Sequence, residues 1–331
     1  MQPSLDVLAL GNALVDVLSH EDDAFVTAVG IERGAMTMVD FERSEEIYAA
    51  MGPGTEISGG SAANTVAGVA GFGGRAAFVG KVRDDQLGTV FRHDLRSVGV
   101  SFDTPPAHAG PSTGRCLVVV TPDAQRTMST YLGIAPDIRP TDVDEDLVAS
   151  AAVTYLEGYL WDRPDAKAAI VKASETARRA GRRVAFTLSD PFCVDRHRDA
   201  FWQLIGDHVD VLFANDVEVR SLTQADDFDD ALQAIRGRCE IAVLTRSEHG
   251  SVVVAGDEVH VVAAHPVDEV VDTTGAGDLF AAGFLYGLTH GYNLHTCAQL
   301  GGAAAAEVIG HLGARPLTPP SAVANALLDR T

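Results

Sequence analysis

Asp272-Thr273-Thr274-Gly275-Ala276-Gly277-Asp278 follows a strand-like run at residues 258–263 and precedes a strongly helical run that begins near Ala276. Its two glycines remove side chains where a turn enters a helix. The first N–H groups of a helix have no partner inside the helix, and the helix dipole makes that end positive. The stretch therefore predicts an anion-binding site, with the Asp278 carboxylate beside it as a potential general base.

The same stretch also has a purely structural interpretation. The helix dipole alone favours an aspartate in the first turn, by about 0.3–1 kcal/mol, and glycine is common in any turn. By itself the motif is therefore no more typical of phosphoryl transfer than of an ordinary helix start. Other parts of the chain must supply the acceptor site, the nucleotide site and the charge that neutralises phosphate.

The composition is that of a globular protein with an acidic surface. The chain has 331 residues, of which 46% are apolar and 21% charged, and its formal net charge is −21. Such an excess of carboxylates argues against nucleic acid and against anionic membranes as partners. The length is compatible with one large domain or two unequal ones.

Cysteine usage and the lack of targeting patterns predict a cytoplasmic protein. The four cysteines form no CxxC pair and no Cys/His cluster with zinc spacing, so we expect reduced, structural thiols. The sequence shows neither a signal-peptide pattern at its start nor an apolar run of the ~18 residues that a membrane span needs.

Strands and helices alternate regularly from about residue 137. Strands are predicted at residues 152–156, 183–188, 209–214 and 241–245, and helices at residues 164–180, 195–206, 216–222, 228–237, 276–290 and 294–311. This alternation predicts a mostly parallel sheet with helices on both faces. Earlier in the chain we expect strands at 5–11 and 75–81, helices at 41–51, from Ser61 and at 86–98, and a Gly/Pro-rich loop at 52–60.

Two β-rich segments, approximately residues 12–40 and 100–134, do not follow this alternation. The second contains a predicted hairpin, with strands at 115–121 and 126–131 around the turn Pro122-Asp123-Ala124. We interpret the two segments as a small β-sheet lid over the carboxyl ends of the main strands, where ligands bind in such sheets. Exposed strand edges can pair between subunits, so we expect a monomer or a homodimer through the lid.

Two polar groups could bind the hydroxyls of an acceptor. In Ser58-Gly59-Gly60-Ser61-Ala62-Ala63-Asn64, the Gly59 and Gly60 positions allow a ligand to approach the backbone and Asn64 could hold a hydroxyl. Asp16 follows the first strand, and its carboxylate could accept hydrogen bonds from two vicinal hydroxyls. A helix cap with a tolerated asparagine and a solvated loop aspartate are the corresponding structural alternatives.

Two further segments follow strands and could bind nucleotide. Asn215 and Glu218 have the spacing of a helix N-cap and its N3 partner, and the same groups could organise Mg²⁺-bound water and phosphate; both interpretations can hold together. Thr245 and Gly250 begin and end a polar turn between two strands, where a nucleotide contact is plausible but not required by the spacing.

Taken in order, these motifs resemble the ribokinase/PfkB family of carbohydrate and nucleoside kinases. The segment GGSAANTVAGVAGFGG, followed by residues 79–88, is similar to the family's N-terminal signature, and DTTGAGDLFAAGF is similar to its C-terminal signature. The resemblance covers essentially the whole chain. It implies a single ribokinase-like kinase domain over residues 1–331, an α/β fold of three layers (α/β/α) with a mostly parallel central sheet and a small β-sheet lid.

The resemblance also implies roles for individual residues. Asp278 takes the position of the catalytic base, and the amides of Gly275, Ala276 and Gly277 form the anion hole for the transferred phosphoryl group. The positions that match the family's substrate contacts are Asp16, Gly59, Gly60 and Asn64, and those that match its ATP and Mg²⁺ contacts are Asn215, Glu218, Thr245 and Gly250. Asp272 and Thr274 match positions that bind K⁺ in some members, helped by the Gly313-Ala314 turn.

Within the family, several segments are similar to adenosine kinases. They include residues 11–16, Gly59-Gly60-Ser61 and residues 188–192, and Arg126 lies where those enzymes carry a lid arginine that steadies the phosphates. Asp190 departs from that pattern. Tyr159, Trp161 and Phe192 are candidates for stacking on a base, although packing in the core explains such aromatic residues equally well.

The expected activity is ATP- and Mg²⁺-dependent phosphorylation of the primary, 5′-type hydroxyl of a nucleoside such as adenosine. A kinase of the same family that acts on ribose, fructose or a related sugar is the main alternative. A ligand-binding regulator without catalysis is a third possibility, which the presence of Asp278 together with Asn215 and Glu218 disfavours.

Overall fold

The structure, a computed structural model, describes residues 3–123 and 125–328. Ala124, which we placed in the turn of the predicted hairpin, lies outside the described residues. Within them the strands are β1 (Leu5–Leu10), β2 (Leu14–His20), β3 (Met36–Met38), β4 (Thr55–Gly59), β5 (Ala76–Val79), β6 (Val100–Ser101), β7 (Thr113–Val120), β8 (Arg126–Gly133), β9 (Ala151–Glu157), β10 (Arg183–Thr187), β11 (Val211–Asn215), β12 (Ile241–Thr245), β13 (Ser251–Ala255) and β14 (Glu258–Val262).

The α-helices in the same residues are α1 (Asp23–Val29), α2 (Phe41–Ala50), α3 (Ser61–Gly71), α4 (Gln86–Ser97), α5 (Glu145–Ser150), α6 (Pro164–Arg179), α7 (Pro191–His208), α8 (Asp216–Thr223), α9 (Phe228–Ile235), α10 (Ala276–Thr289), α11 (Leu294–Ile309) and α12 (Pro320–Leu328). None of these described helices combines the length and the apolar composition needed to cross a bilayer.

The larger sheet has nine strands in the order β14-β13-β12-β11-β10-β9-β1-β5-β6. Its strands are parallel from β12 to β6, and β13 and β14 extend it as antiparallel strands. From β1 the chain continues through β5 to one edge, and from β9 it continues through β10 to the other. The carboxyl ends of β1 and β9 therefore flank the point where the strand order changes direction, which is the place where such sheets bind ligands.

Apolar side chains fill both faces of this sheet. Val7 and Ala9 of β1 pack into one core with α3, α10 and α11, whereas Leu8 and Leu10 pack into a second core with α6 and α7. Because successive residues of a strand point to opposite faces, a continuous apolar run such as β1 fits a sheet that is covered on both sides. The predicted three-layer α/β/α fold is confirmed.

The smaller sheet has five strands in the order β3-β8-β7-β2-β4 and forms the lid. It contains the predicted hairpin, as β7 and β8. The loop that we predicted at residues 52–60 is wrong, because residues 55–59 form strand β4, which pairs antiparallel with β2 from Leu14↔Gly59 to Leu18↔Thr55. Glycine and proline in this segment suggested a loop, and pairing with a distant strand overrides that local preference. Helices α1, α5 and α12 were also not predicted.

Candidate active site

The N-terminus of α10 is open on one side and closed on the other. Gly275 has φ of 80°, and a Cβ atom there would lie 2.8 Å from the Cβ atom of Ala314. Only glycine fits this position without strain. A Cβ atom on Gly277 would meet nothing within 4 Å. Space that a ligand can occupy thus adjoins this helix start, where the N–H of Ala276 donates to the carbonyl of Thr273 at 3.2 Å.

Asp278, in the first turn of α10, is held by the first turn of α3. Its carboxylate accepts hydrogen bonds from the hydroxyl of Ser61 at 2.6 Å and from the side-chain amide of Asn64 at 3.1 Å. Burial raises the pKa of Asp278, and the bonds from Ser61 and Asn64 and the charge of Arg315 oppose that rise. Two helix N-termini therefore converge on one partly buried carboxylate.

Glu157 lies at the point where the strand order changes, and sequence reasoning missed it. It ends β9 and accepts hydrogen bonds from the backbone N–H of Asn12 at 2.6 Å, from the side chain of Asn12 at 2.7 Å and from the N–H of Ala62 at 3.0 Å. Burial raises its pKa to about 7, although these bonds act in the opposite direction. The signal for it was a polar residue directly after an apolar strand, the same signal that we used for Asn215.

Asp16 projects from the lid toward the same region. On the neighbouring strand, a side chain at Gly59 would overlap the Asp16 carboxyl group, so this glycine makes room for it. Burial, with a smaller contribution from the charge of Asp278, raises the pKa of Asp16 to about 6, against the opposing charges of Arg126 and Arg315. The structure thus brings Asp16, Asn64 and Asp278 together at one site, as the acceptor-site prediction requires.

An ion pair ties the lid to the loop before α10. Arg126, at the start of β8, pairs with Asp272, and both side chains are nearly buried. The carboxylate of Asp272 also accepts hydrogen bonds from the N–H groups of Gly313 at 2.8 Å and Thr274 at 3.0 Å. The oxygens of Asp272 are thus engaged by Arg126 and by two N–H groups. The K⁺ site at Asp272 and Thr274 stays a prediction.

Arg315 is a second arginine of the site, which the sequence analysis did not identify. Its guanidinium donates to the carbonyl and the hydroxyl of Ser58, each at 2.8 Å. Burial lowers the pKa of Arg315, whereas Asp94, Asp16 and Asp278 raise it. The residue therefore places positive charge near both candidate acceptor-site carboxylates.

Asn215 and Glu218 cap α8 reciprocally, as predicted. The Glu218 N–H donates to the Asn215 side chain at 2.9 Å, and Glu218 accepts from the Asn215 N–H at 3.0 Å and its side-chain amide at 2.7 Å. Burial, with the charges of Asp190 and Asp278, raises the pKa of Glu218 to about 7 against the opposing effect of the Asn215 N–H. A cation nearby would relieve this excess of negative charge.

The chemistry of these side chains fits Mg²⁺ bound through water. No group of three or more acidic, histidine or cysteine residues in the described part of the chain is arranged to hold a metal ion directly. Mg²⁺ usually keeps several waters and is held by one or two carboxylates together with substrate phosphates. Glu218 meets that requirement, so it would hold the ion from one side while nucleotide phosphates hold it from the other.

The segment that packs against Gly250, residues 262–264, lines a cavity of about 340 Å³. A side chain at Gly250, which has φ of 79°, would overlap the backbone of residues 262–264, and those residues line the cavity together with His295, Gln299 and Gly302. Thr245 ends β12 at the carboxyl edge of the sheet. A cavity is therefore present close to Gly250, and the nucleotide contact at Thr245 and Gly250 stays a prediction.

Three buried polar atoms of the site lack partners among the described residues. They are the side-chain oxygens of Asn12 and Asn64 and the Nε atom of Arg126. An unsatisfied buried group carries a free-energy penalty of roughly 1–3 kcal/mol. A polar ligand bound at the site would supply the missing hydrogen bonds.

The lid face that carries Asp16 and Arg126 also carries an apolar cluster. Asp16 pairs with Cys116, and Leu18 with Val118; Cys116, Val118, Leu18 and Met128 form one cluster that also contacts Leu312 beyond α11. On the edge strand β3, the partner of Met128 is Met36, which is 49% exposed. An apolar surface therefore adjoins the Asp16 carboxylate.

The three aromatic candidates occupy different environments. Trp161 is buried and lies edge-on to Phe201 with 6.0 Å between ring centroids, so it belongs to the core. The Tyr159 hydroxyl donates to the carbonyl of Ser189 at 3.2 Å. Phe192 is 74% exposed at the start of α7. None of these placements tests a stacking role.

Comparisons with known proteins agree with this geometry. A family model described as pfkB family carbohydrate kinase matches residues 34–321. The solved structure of an adenosine kinase from Sinorhizobium meliloti is 50% identical with a TM-score of 0.90, and that of a probable sugar kinase from Rhizobium etli CFN 42 is 50% identical with a TM-score of 0.92; both likenesses cover 98% of this chain and 99% of the other. An ATP-dependent ribose-1-phosphate kinase from Halopiger xanaduensis is 33% identical over 286 residues, which is 83% of this chain and 88% of the relative.

Proposed function

The chain belongs to the pfkB family of carbohydrate kinases, and on that premise we propose that it transfers the γ-phosphoryl group of ATP to the primary, 5′-type hydroxyl of a nucleoside such as adenosine. It is a phosphotransferase with an alcohol acceptor. The observation that carries the proposal is the position of Asp278, which joins the open helix start at Gly277 to the acceptor side chain Asn64.

The acceptor is held from the lid and from α3. Asp16 accepts hydrogen bonds from two vicinal hydroxyls of the ribose, and the unsatisfied oxygen of Asn64 accepts another. This arrangement directs the primary hydroxyl toward Asp278. Asp278 removes the hydroxyl proton as the oxygen attacks the γ-phosphorus, and its raised pKa strengthens it as a base.

The phosphoryl group is stabilised by charges and dipoles that are already in place. The amides of Gly275, Ala276 and Gly277 donate to its oxygens, and the Nε atom of Arg126 is available for a further bond. Mg²⁺ held through Glu218 would supply the positive charge that the β- and γ-phosphates need. Closure of the lid excludes water and so limits hydrolysis of ATP.

The donor nucleotide extends along the carboxyl edge of the sheet from α10 toward β12. Asn215 and Glu218 lie beside its phosphates, and Thr245 and Gly250 lie beside its nucleoside. The cavity next to Gly250 accommodates its base.

The apolar lid face favours a nucleoside over a free sugar. A base extending from the ribose at Asp16 would cover Leu18, Met128 and the exposed Met36, which a sugar of the size of ribose or fructose would leave in water. Burial of apolar surface stabilises the complex by roughly 25 cal/mol per Å². Similarity to a probable sugar kinase and to a ribose-1-phosphate kinase makes a sugar or sugar phosphate the second candidate acceptor.

A coupled assay of ADP release separates these candidates. We expect the highest kcat/KM with adenosine or another nucleoside in a panel that also contains ribose, fructose and ribose 1-phosphate, with and without K⁺. Preference for a sugar would contradict the nucleoside assignment and keep the kinase assignment. Binding of ATP without ADP formation for any acceptor would contradict both.

Two glycine substitutions separate folding from phosphate binding. Gly275→Ala should destabilise the protein by roughly 1–3 kcal/mol, because φ is positive and the methyl group would contact Ala314. Gly277→Ala should leave stability unchanged or slightly raised, since alanine favours a helix by about 0.5–1 kcal/mol, yet it should lower kcat because the methyl group fills the space over the amides. Urea unfolding and ADP release measure the two effects. Normal turnover in a stable Gly277→Ala protein would exclude phosphoryl binding at this helix start.

Binding of the acceptor should weaken in acid. The pKa of Asp16 is raised to about 6, and only its ionised form accepts bonds from two hydroxyls, so kcat/KM for the acceptor should fall as the pH drops below about 6. Because Asp278 contributes to the rise, the acid limb belongs to the coupled pair. Asp16→Asn should raise KM and shift this limb, whereas Asp123→Asn, at an exposed lid carboxylate, should leave the pH profile unchanged. Identical acid limbs in wild type and Asp16→Asn would contradict the role of Asp16.

A further inference from the structure

A groove beside helix α4 concentrates positive charge on an otherwise acidic protein. Its volume is about 540 Å³, and it is lined by one face of α4 together with Arg83, Asp84 and Pro106. Arg83, Arg92 and Arg96 line it, and Asp84 is the one carboxylate among its lining residues. In the chain as a whole, 46 acidic residues face 25 Lys and Arg, so this local reversal of charge calls for an explanation.

The arginines of the groove differ in what already holds them. The Arg96 guanidinium donates to the carbonyl of Phe102 at 2.6 Å and to Asp103 at 2.7 Å, and Arg83 donates to the carbonyl of Gly110. A carbonyl contact fixes the direction of a guanidinium without neutralising it, so the charge of Arg83 stays uncompensated, whereas Asp103 pairs with the charge of Arg96. In the part of the chain that the structure describes, Arg92 has neither a hydrogen bond nor an ion pair.

The remaining lining side chains suit a phosphate group. His93 lies beside Arg92 on the helix, also without a described partner, and Thr89 lies one turn before it. Residues three and four apart on a helix lie on one face, so Arg92, His93 and Arg96 face the groove together, whereas the Thr89 hydroxyl already donates to the carbonyl of Asp85 at 3.0 Å. Arginine binds phosphate through two parallel hydrogen bonds, and like charges at this spacing repel each other unless an anion lies between them.

We infer that this groove binds a small phosphate-bearing anion, such as a diphosphate or a phosphomonoester of metabolite size, and that it acts as an effector site of the enzyme. The volume is in the range of small-molecule sites, about 300–1,000 Å³, and exceeds what a single phosphate ion needs. The groove is separate from the phosphate site at α10, since neither lining set contains residues of the other.

Helix α4 also anchors the lid, which gives a ligand in the groove a route to the active site. At its start, Asp85 accepts hydrogen bonds from the backbone of Thr113 at 2.9 Å and from its hydroxyl at 2.6 Å, where β7 enters the lid. Near its end, Asp94 accepts from the N–H of Ser58 at 2.8 Å, where β4 leaves the lid. A ligand that restricts the motion of α4 would therefore also restrict the motion of strands β7 and β4.

Titration calorimetry with inorganic pyrophosphate tests the site on the whole protein. Wild type should bind pyrophosphate in the groove. Arg92→Glu should lower the affinity for pyrophosphate by roughly tenfold or more, because a charge-assisted hydrogen bond to the anion is replaced by repulsion between two negative charges. Arg178→Glu is the matched control: it makes the same change of charge at an exposed arginine of α6 and should leave the affinity within about twofold. Sulfate at equal ionic strength separates binding from screening of charge.

Hydrogen exchange locates the bound anion. Pyrophosphate should slow exchange at residues 86–97 and at residues 113–120 in wild type, and Arg92→Glu should abolish both effects while keeping its melting temperature. Arg92→Gln, which adds no negative charge, should show intermediate protection. Equal affinities in Arg92→Glu and Arg178→Glu, or protection confined to residues 272–280, would overturn the site. Protection of residues 86–97 alone would overturn its effector role.

Discussion

Asp278→Asn should lower turnover by roughly 10²–10⁴-fold, the range for loss of a general base, while ATP and the acceptor still bind. Asparagine retains an oxygen that can accept from Ser61 or Asn64, so the two helix starts should stay together. It cannot take the proton of the attacking hydroxyl. The loss should therefore appear in kcat, measured by ADP release at saturating substrates, and much less in KM.

The matched control for this substitution is Asp230→Asn. Asp230 is the third residue of α9, as Asp278 is the third residue of α10, but it is exposed and lies outside the candidate site. Its substitution should leave turnover within about twofold of wild type, since surface substitutions have small effects. Turnover of Asp278→Asn close to that of the control would remove Asp278 from the role of base.

The fold and the central motif could be predicted because their signals are local. Alternating apolar runs and helical patterns gave the parallel sheet, and two glycines before Asp278 marked an open helix start. The conformation of Gly275 and the space over Gly277 agree with that interpretation. The roles of the site residues stay predictions, since geometry alone does not measure proton or phosphoryl transfer.

What could not be predicted depends on contacts between distant segments. Glu157 is 145 residues from Asn12 in the chain, and nothing in the local sequence of either residue shows that the two form a hydrogen bond at the edge of the sheet. Arg315 reaches Ser58 across 257 residues. Strand β4 exists because β2 pairs with it. In each case the partner, rather than the residue's own sequence context, determines the structure.

Arg126→Met should have the second large effect, on stability and turnover together. Removal of one partner from a buried ion pair leaves an uncompensated charge, here Asp272, and such losses destabilise by about 3–5 kcal/mol. Loss of one donor to the transferred phosphoryl group should lower kcat by about 10²–10³-fold. Arg33→Met is the matched control in the same lid: Arg33 pairs with Asp123 on the surface, and its loss should change neither quantity appreciably.

A second substitution separates the two roles of Arg126. In Arg126→Met/Asp272→Asn the buried charge is gone, and an asparagine oxygen can still accept from the N–H groups of Gly313 or Thr274. Stability should therefore return toward that of Asp272→Asn alone, whereas turnover should stay low relative to that single variant, because the phosphoryl group still lacks its donor. If turnover in the double variant equals that of Asp272→Asn, Arg126 serves only to neutralise Asp272 and hold the lid. Urea unfolding and kcat are measured on wild type, the two single variants and the double variant. This double-mutant cycle gives the coupling energy between Arg126 and Asp272 in stability and in turnover.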